Sequence, residues 1–243
     1  MKTMVVGASS GLGRELATEL ARRKHDLVLV ASGRRDLEAL AADLTLRHGV
    51  AVELVALDLA TAADPGARLL AALDAESALD ALLLPLGMSR GHDDFSLDAA
   101  AIGELLAINL HAPLAIIHAL LPRLLAAQGV IVLFGSVAAV RGRGRNVVYA
   151  AAKRALVSVY ESLRQRFAPG QLRVQLYEPG FIATNLTWGM RLPMPASDPA
   201  RLARQIVAGL GRGSRRRFVP ARYALIAALL RGLPWALYRR MRA

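Results

Sequence analysis

The stretch Thr3-Met4-Val5-Val6-Gly7-Ala8-Ser9-Ser10-Gly11-Leu12-Gly13 takes the chain from a short apolar strand through a glycine turn into a helix. Met1–Val6 reads as the strand, and Leu16, Leu20 and the intervening alanines mark one face of a helix from about Leu12 to Lys24. Glycines alone are compatible with an ordinary tight turn. Between a strand and a helix they mean more. Gly7, Gly11 and Gly13 let backbone approach a pyrophosphate, and the helix N-terminus offers N–H groups and the positive end of a dipole. The candidate phosphate cradle is therefore Gly7, Ser9, Ser10, Gly11, Leu12 and Gly13.

Leu27–Ala31 follows as a second strand, and its tip Ser32-Gly33-Arg34-Arg35 leads into a helix from about Asp36 to His48. An acid at such a tip accepts from the 2′-hydroxyl of NAD, whereas arginine accommodates the 2′-phosphate of NADP. No acid precedes Asp36, so Ser32, Arg34 and Arg35 favour NADP(H) over NAD(H); an arginine pair facing water is the plainer alternative. Val50–Leu57 is a third strand, with Asp58 and Leu59 beyond its end, where an adenine edge would be met. Thr61–Leu73 reads as a helix, Ala81–Leu84 as a fourth strand, and Leu97–Ala127 as a helix with a break expected around Pro113.

Val130–Phe134 is the fifth strand and leads to Gly135-Ser136. A helix from about Val148 to Phe167 and a sixth strand, Leu172–Tyr177, precede Glu178-Pro179-Gly180-Phe181-Ile182-Ala183-Thr184. Pro199–Leu210 is a further helix, and Arg215–Pro220 a short edge strand. This alternation predicts an α/β, doubly wound Rossmann fold, a parallel seven-stranded sheet with helices on both faces. Ligands of such sheets sit beyond the carboxyl ends of the strands. The glycine loop, Asp58, Ser136 and Pro179-Gly180 all fall on that edge. Residues 1–211 are expected to form the dinucleotide-binding and catalytic domain, with a substrate lid at about 181–197. Residues 212–243 add an edge strand and a basic amphipathic tail.

Within Gly144–Lys153, Tyr149 and Lys153 stand four residues apart at the start of a helix, on one face. An ammonium beside a phenol favours the charged form, so the Tyr149 pKa is expected to fall below about 10. A tyrosine of that kind exchanges protons in the way carbonyl reduction needs. A Tyr–Lys pair on a solvated helix face is the alternative that the spacing alone leaves open.

With 243 residues and 54% hydrophobic content the chain suits one α/β domain with a full core. It has no cysteine, which excludes disulfides, cysteine–zinc sites and thiol catalysis, and no metal site is expected. No signal-like segment precedes the first strand, and no uninterrupted apolar run is expected to span a bilayer, so a cytoplasmic protein is expected. The net charge is +12, and 28 of the 31 basic residues are arginine. After Asp198 there is no acidic residue but there are eleven arginines, from Arg201 to Arg242. No recognition motif or aromatic platform accompanies this charge, so nucleic acid is not an expected partner.

Taken together, these motifs resemble the short-chain dehydrogenase/reductase family over roughly residues 3 to 211. Gly7, Gly11 and Gly13 resemble its cofactor loop, Asn109, Ser136, Tyr149 and Lys153 its catalytic tetrad, and Pro179-Gly180 with Thr184 its nicotinamide-side motif. The resemblance implies that Tyr149 is the general acid for reduction and that Ser136 stabilises charge on the carbonyl oxygen. It further implies that Lys153 lowers the tyrosine pKa and holds the nicotinamide ribose, while Asn109 positions a water on the proton path. Gly87, Pro179, Gly180, Ile182 and Thr184 complete the implied cofactor contacts, and a homodimer or homotetramer is the implied assembly. The family's Asn-Asn-Ala-Gly after the fourth strand is replaced here by Leu84-Pro85-Leu86-Gly87, which removes a side-chain contact on the sheet.

The lid segment contains Trp188, Met190, Leu192 and Met194, read as lining an apolar substrate pocket, with Trp188, Met190 and Ser136 as candidate substrate contacts. The tail combines apolar Tyr223–Leu230 with Trp235, Tyr238 and arginines, the composition of a segment that lies at an anionic membrane surface rather than spanning it. Docking on the protein is the alternative. The tail resembles a subgroup of reductases acting on polyprenyl-phosphoryl keto-pentoses. That implies NADPH-dependent reduction of a hydrophobic carbonyl substrate at the inner membrane face. A soluble reductase of a small hydrophobic ketone or 3-ketoacyl group, and a non-catalytic NADP-sensing regulator, are the competing readings.

Overall fold

The computed structural model describes residues 1–74, 78–190, 192 and 194–241. Arg191 and Pro193 of the expected lid, and Arg242 of the tail, lie outside the described residues. Seven strands form one sheet: β1 Lys2–Val6, β2 Asp26–Ala31, β3 Val52–Ala56, β4 Ala81–Leu84, β5 Val130–Phe134, β6 Arg173–Pro179 and β7 Arg215–Val219. Their order is β3-β2-β1-β4-β5-β6-β7, and every neighbouring pair is parallel. The doubly wound arrangement expected from the sequence is the one observed. The order reverses at β1, so a crevice opens beyond the carboxyl ends of β1 and β4.

Side-chain alternation assigns the two faces. Val5, Leu27, Leu29, Leu83 and Val132 pack under α1 (Gly11–Arg22), α2 (Arg34–His48) and α7 (Pro199–Val207). Met4, Val6, Val28, Leu82 and Leu133 face α3 (Pro65–Ala72), α5 (Ala112–Ala126) and α6 (Val147–Arg166). The central strands are apolar on both faces because both are covered. The edge strand β3 is only partly buried.

Capping chemistry moved several boundaries. The Asp64 carboxylate accepts the Ala67 N–H and Pro65 occupies the first turn, so α3 begins there rather than at Thr61. Asp98 caps α4 (Ala99–Leu106) through Ala101, and Asp198 caps α7 through Ala200 and Arg201. The break expected at Pro113 is absent. The helix runs from Ala99 to Ala126 without interruption, and its irregularity is a π turn at Ala107–His111, where Ala112 N–H bonds Ala107 O. A wider turn just ahead of Pro113 accommodates a residue with no N–H to give. Being continuous, this helix is long and apolar enough by length and composition to cross a membrane, contrary to the sequence expectation. Its stripe of Ala112, Ile116, Ile117, Leu120 and Leu124 is buried against the sheet.

The chain ends in α8 (Arg222–Gly232) and α9 (Trp235–Tyr238). Tyr223 and Ala227 turn inward, and the Tyr223 ring lies so close to Gly180 that a Cβ there would fall 2.0 Å from it. Part of the tail is therefore core.

Close approach also governs α3 on α5: a Cβ on Gly66 would lie 2.3 Å from the Ala115 carbonyl oxygen. Backbone cannot yield as a flexible side chain does, so Gly66→Ala is expected to cost about 1–3 kcal/mol in urea unfolding. An unchanged midpoint and slope would show that the two helices are not packed this closely.

Candidate active site

The loop after β1 is shaped by backbone. Gly7 and Gly11 take left-handed conformations, with φ of 92° and 51°. Gly7 and Ala8 both donate to Val30 O, which pins the loop to the neighbouring strand. Ser10 caps α1 in an extended conformation without a side-chain bond, leaving the first-turn amides of Gly11, Leu12 and Gly13 facing the crevice edge. A Cβ on Gly11 would meet the Thr184 methyl at 3.0 Å, and one on Gly7 would meet Leu86 at 3.2 Å. Thr184 and the β4 exit are thus brought against the glycine loop. This is a cradle of peptide dipoles and small walls, of the kind that suits a pyrophosphate.

At the β2 tip, Gly33 is the cap of α2, and the helix begins at Arg34, two residues before the predicted Asp36. Arg34 pairs with Glu38 on the solvent side, 77% and 53% exposed, and the Asp36 carboxylate folds back toward Gly33. Asp58 lies exposed past β3, where its carboxylate accepts Ala60 N–H.

The four residues expected to act together converge beyond β4 and β5. Asn109 sits in the π turn and is fully buried. Its Nδ2 donates to Leu105 O and Met88 O, and its Oδ1 accepts Met88 N–H, so it clamps the segment after Gly87. Lys153 is buried and donates from Nζ to Leu86 O and Phe134 O. Ser136 accepts Ala138 N–H and lies within hydrogen-bonding reach of the Tyr149 phenol. The Lys153 Nζ is 5.8 Å from the Tyr149 ring centre.

The electrostatics reverse one expectation. Burial raises the Tyr149 pKa above 10.0, and the Ser136 hydrogen bond and the Arg143 charge oppose that rise without overcoming it. Lys153 does not lower it. Its own ammonium is stripped of water and its pKa falls from 10.5 to about 7, because its partners are neutral carbonyls rather than an anion. Tyr149 is thus held protonated at neutral pH.

Leu84 and Pro85 stand at the family's polar pair, and Leu84 and the following Leu86 are both buried in the core. The lid differs from expectation. Trp188 and Met190 are 88% and 50% exposed rather than lining a pocket. The backbone bonds of Trp188 and Met190 are local, to Asn185 O and Thr187 O, with Gly189 left-handed, and none among the described residues draws their side chains inward. Leu192 and Met194 are partly buried.

Asp93 was missed by sequence reasoning. It is buried, its carboxylate accepts the N–H groups of Val148 and Tyr149, and its carbonyl accepts that of Val147. It therefore fixes the start of α6 and with it the tyrosine. The one available signal, an aspartate in the polar loop after β4, lies 55 residues from its partner Val148. Arg141 was missed as well: it donates to Leu230 O and Leu233 O and lies over the Trp235 and Tyr238 rings, tying the loop after β5 to the tail.

The family model for short chain dehydrogenase matches residues 2–194. The chain belongs to the short-chain dehydrogenase family. This short-chain dehydrogenase is an oxidoreductase. It is 34% identical over 240 residues to an uncharacterised oxidoreductase of Myxococcus xanthus, covering 97% of this chain and 93% of that one. It is 31% identical over 244 residues to one of Mycobacterium tuberculosis, covering 98% and 96%. A solved short-chain dehydrogenase from Sphingobium yanoikuyae, in complex with NADPH, superimposes with a TM-score of 0.85 at 30% identity, covering 99% of this chain and 96% of that one.

Lys153 links stability to pH. Between about 7 and 10.5 the unfolded chain holds a proton that the folded chain has lost, so stability rises with pH across that window. Subtracting Lys153→Met from wild type in urea titrations isolates this group. The difference should move in favour of wild type between pH 7 and 9 by up to about 1.4 kcal/mol per pH unit. A flat difference would mean that Lys153 titrates normally.

Proposed function

We propose that this short-chain dehydrogenase reduces a ketone on a hydrophobic substrate with NADPH, Tyr149 giving the proton. The observation that carries this reading is the protonated, partly buried phenol of Tyr149 beside Ser136, on the sheet edge that also holds the glycine cradle. Ser136 would hold the carbonyl oxygen and offset charge developing on it. Tyr149 would donate to that oxygen. Lys153, poised near neutrality, would return a proton to the tyrosine side, with Asn109 keeping the Leu86–Met88 backbone in place around it.

NADPH supplies the hydride when bound. Gly7, Ser9, Ser10, Gly11, Leu12 and Gly13 would take its pyrophosphate, Asp58 and Leu59 its adenine edge, and Gly87, Pro179, Gly180, Ile182 and Thr184 its nicotinamide half. Ser32, Arg34 and Arg35 would take the 2′-phosphate. The Arg34–Glu38 pair is exposed and weak, so Arg34 exchanges it readily for a phosphate. The NADPH complex of the Sphingobium relative supports this preference.

The hydrophobic substrate class rests on the exposed Trp188 and Met190 of the segment after Thr184 and on the apolar side chains of the tail. A polyprenyl-phosphoryl keto-sugar is the instance suggested by the resemblance of the tail. Leu225, Leu229, Trp235 and Leu237 are 67%, 65%, 65% and 53% exposed, with Arg222, Arg231, Arg239 and Arg240 in the same segment and no acid after Asp198. We read this face as one that rests on an anionic membrane surface.

NADPH oxidation with a panel of hydrophobic ketones tests the chemistry. Tyr149→Phe is expected to lower kcat by about 10²–10⁴-fold, and NADH to react with the higher KM. Turnover unaffected by the substitution would remove Tyr149 from the reaction. Co-sedimentation with phosphatidylglycerol vesicles tests the surface, using Trp235→Ala/Leu237→Ala rather than truncation, since Tyr223 is core. Weaker binding by the double variant is expected; equal binding would end the membrane reading.

A further inference from the structure

Arg143 lies in the loop between the turn after Ser136 and α6, within the electrostatic reach of the Tyr149 and Tyr238 hydroxyls and of Arg145. Its Nε is shut off from solvent and has no hydrogen-bond acceptor, and no ion pair among the described residues involves it. The buried Nε therefore carries a cost of desolvation with no anion to offset it, and burial holds the Arg143 pKa below that of an ordinary arginine. Beside it is a cavity of about 470 Å³ with an apolar wall that includes Val140, Val147 and Ala151 and with three arginines, Arg141, Arg143 and Arg154.

The other two guanidiniums are already engaged. Arg141 bonds Leu230 O and Leu233 O, and Arg154 bonds Ala139 O and Val140 O. Among the described residues, Arg143 alone of the three has no such acceptor, and no carboxylate lines the space. An arginine fork matches a planar or tetrahedral oxyanion, and a desolvated one binds it more tightly than an exposed one. The apolar wall suits an alkyl group attached to that anion, and the volume is that of a small-molecule site.

We infer that Arg143 receives a phosphate or carboxylate carried by the substrate, which makes this enzyme selective for acidic amphiphilic carbonyl compounds. The inference rests on the proposed reductase reading and adds the charge of the substrate to it. The protein itself contributes the cation, the apolar wall and, through Tyr149, the neighbouring proton donor.

Calorimetric binding of hexyl phosphate, hexanoate and hexanol to the full-length enzyme, with and without NADPH, tests this without requiring turnover. Wild type should bind at least one of the anions about tenfold or more tightly than hexanol, and the tighter of the two names the anion. Arg143→Gln should lose about tenfold or more of that affinity, Arg143→Lys less, and Arg145→Gln none. Should Arg143→Gln fail to fold by circular dichroism, the Arg143→Lys and Arg145→Gln comparison decides alone. Equal binding of hexanol and the anions, no binding of any probe, or loss of NADPH affinity with anion binding intact would overturn the assignment. Arg143-dependent anion binding in an enzyme that fails to oxidise NADPH with any ketone of the panel would keep the pocket and sink the reductase reading.

Discussion

The closeness of α1 to the end of β1 is the constraint on which the site depends. A Cβ on Gly13 would fall 1.9 Å from the Gly7 carbonyl oxygen, so no other residue lets the helix start where it does. That approach aims the first-turn amides of α1 across the carboxyl edge and leaves just enough room for Thr184 on one side and Leu86 on the other. A helix displaced by a methyl group would open the cradle and part the β1 and β6 loops. Sheet order, helix dipole and loop contacts all meet at this one contact.

The chemistry at the other end of the crevice follows from desolvation more than from proximity. Tyr149 is kept protonated and Lys153 is brought close to neutrality by one cause, the removal of water from both. Lys153 is satisfied by backbone carbonyls at the ends of two strands, so the sheet itself sets its position. Asp93 performs the corresponding task for the tyrosine by capping α6 from across the fold. A donor ready to protonate an oxygen is then present before substrate arrives.

The arginine-rich end of the chain is only partly a free charge. Arg216 is committed to a two-pronged pair with Glu178, immediately before Pro179-Gly180. Arg222 donates to Pro195 O, and Tyr223 accepts Phe181 N–H and packs on Gly180. Together with Arg141, these contacts strap the tail across both loops that flank the site. The tail is thus structural on one face and apolar and basic on the other.

Periodicity and punctuation were enough for the architecture. Apolar runs bounded by glycine, proline and aspartate placed seven strands and their helices, β4 and β5 to the residue, because local side-chain alternation and capping decide such elements. The grouping of Gly7–Gly13, Ser136, Tyr149, Lys153 and Thr184 on one edge was also legible, since a parallel sheet sends every strand's carboxyl end the same way. What the linear chain does not carry is environment. The direction of the Tyr149 pKa depends on burial, the exposure of Trp188 on how its loop folds, and the role of Asp93 on a neighbour 55 residues away. The break placed at Pro113 is instead a π turn just ahead of it, whose Asn109 meets Met88, in the loop after β4, as both donor and acceptor. Spacing along the chain names the residues that meet. Water exclusion and long-range hydrogen bonds, which exist only in the folded molecule, set the state in which they meet.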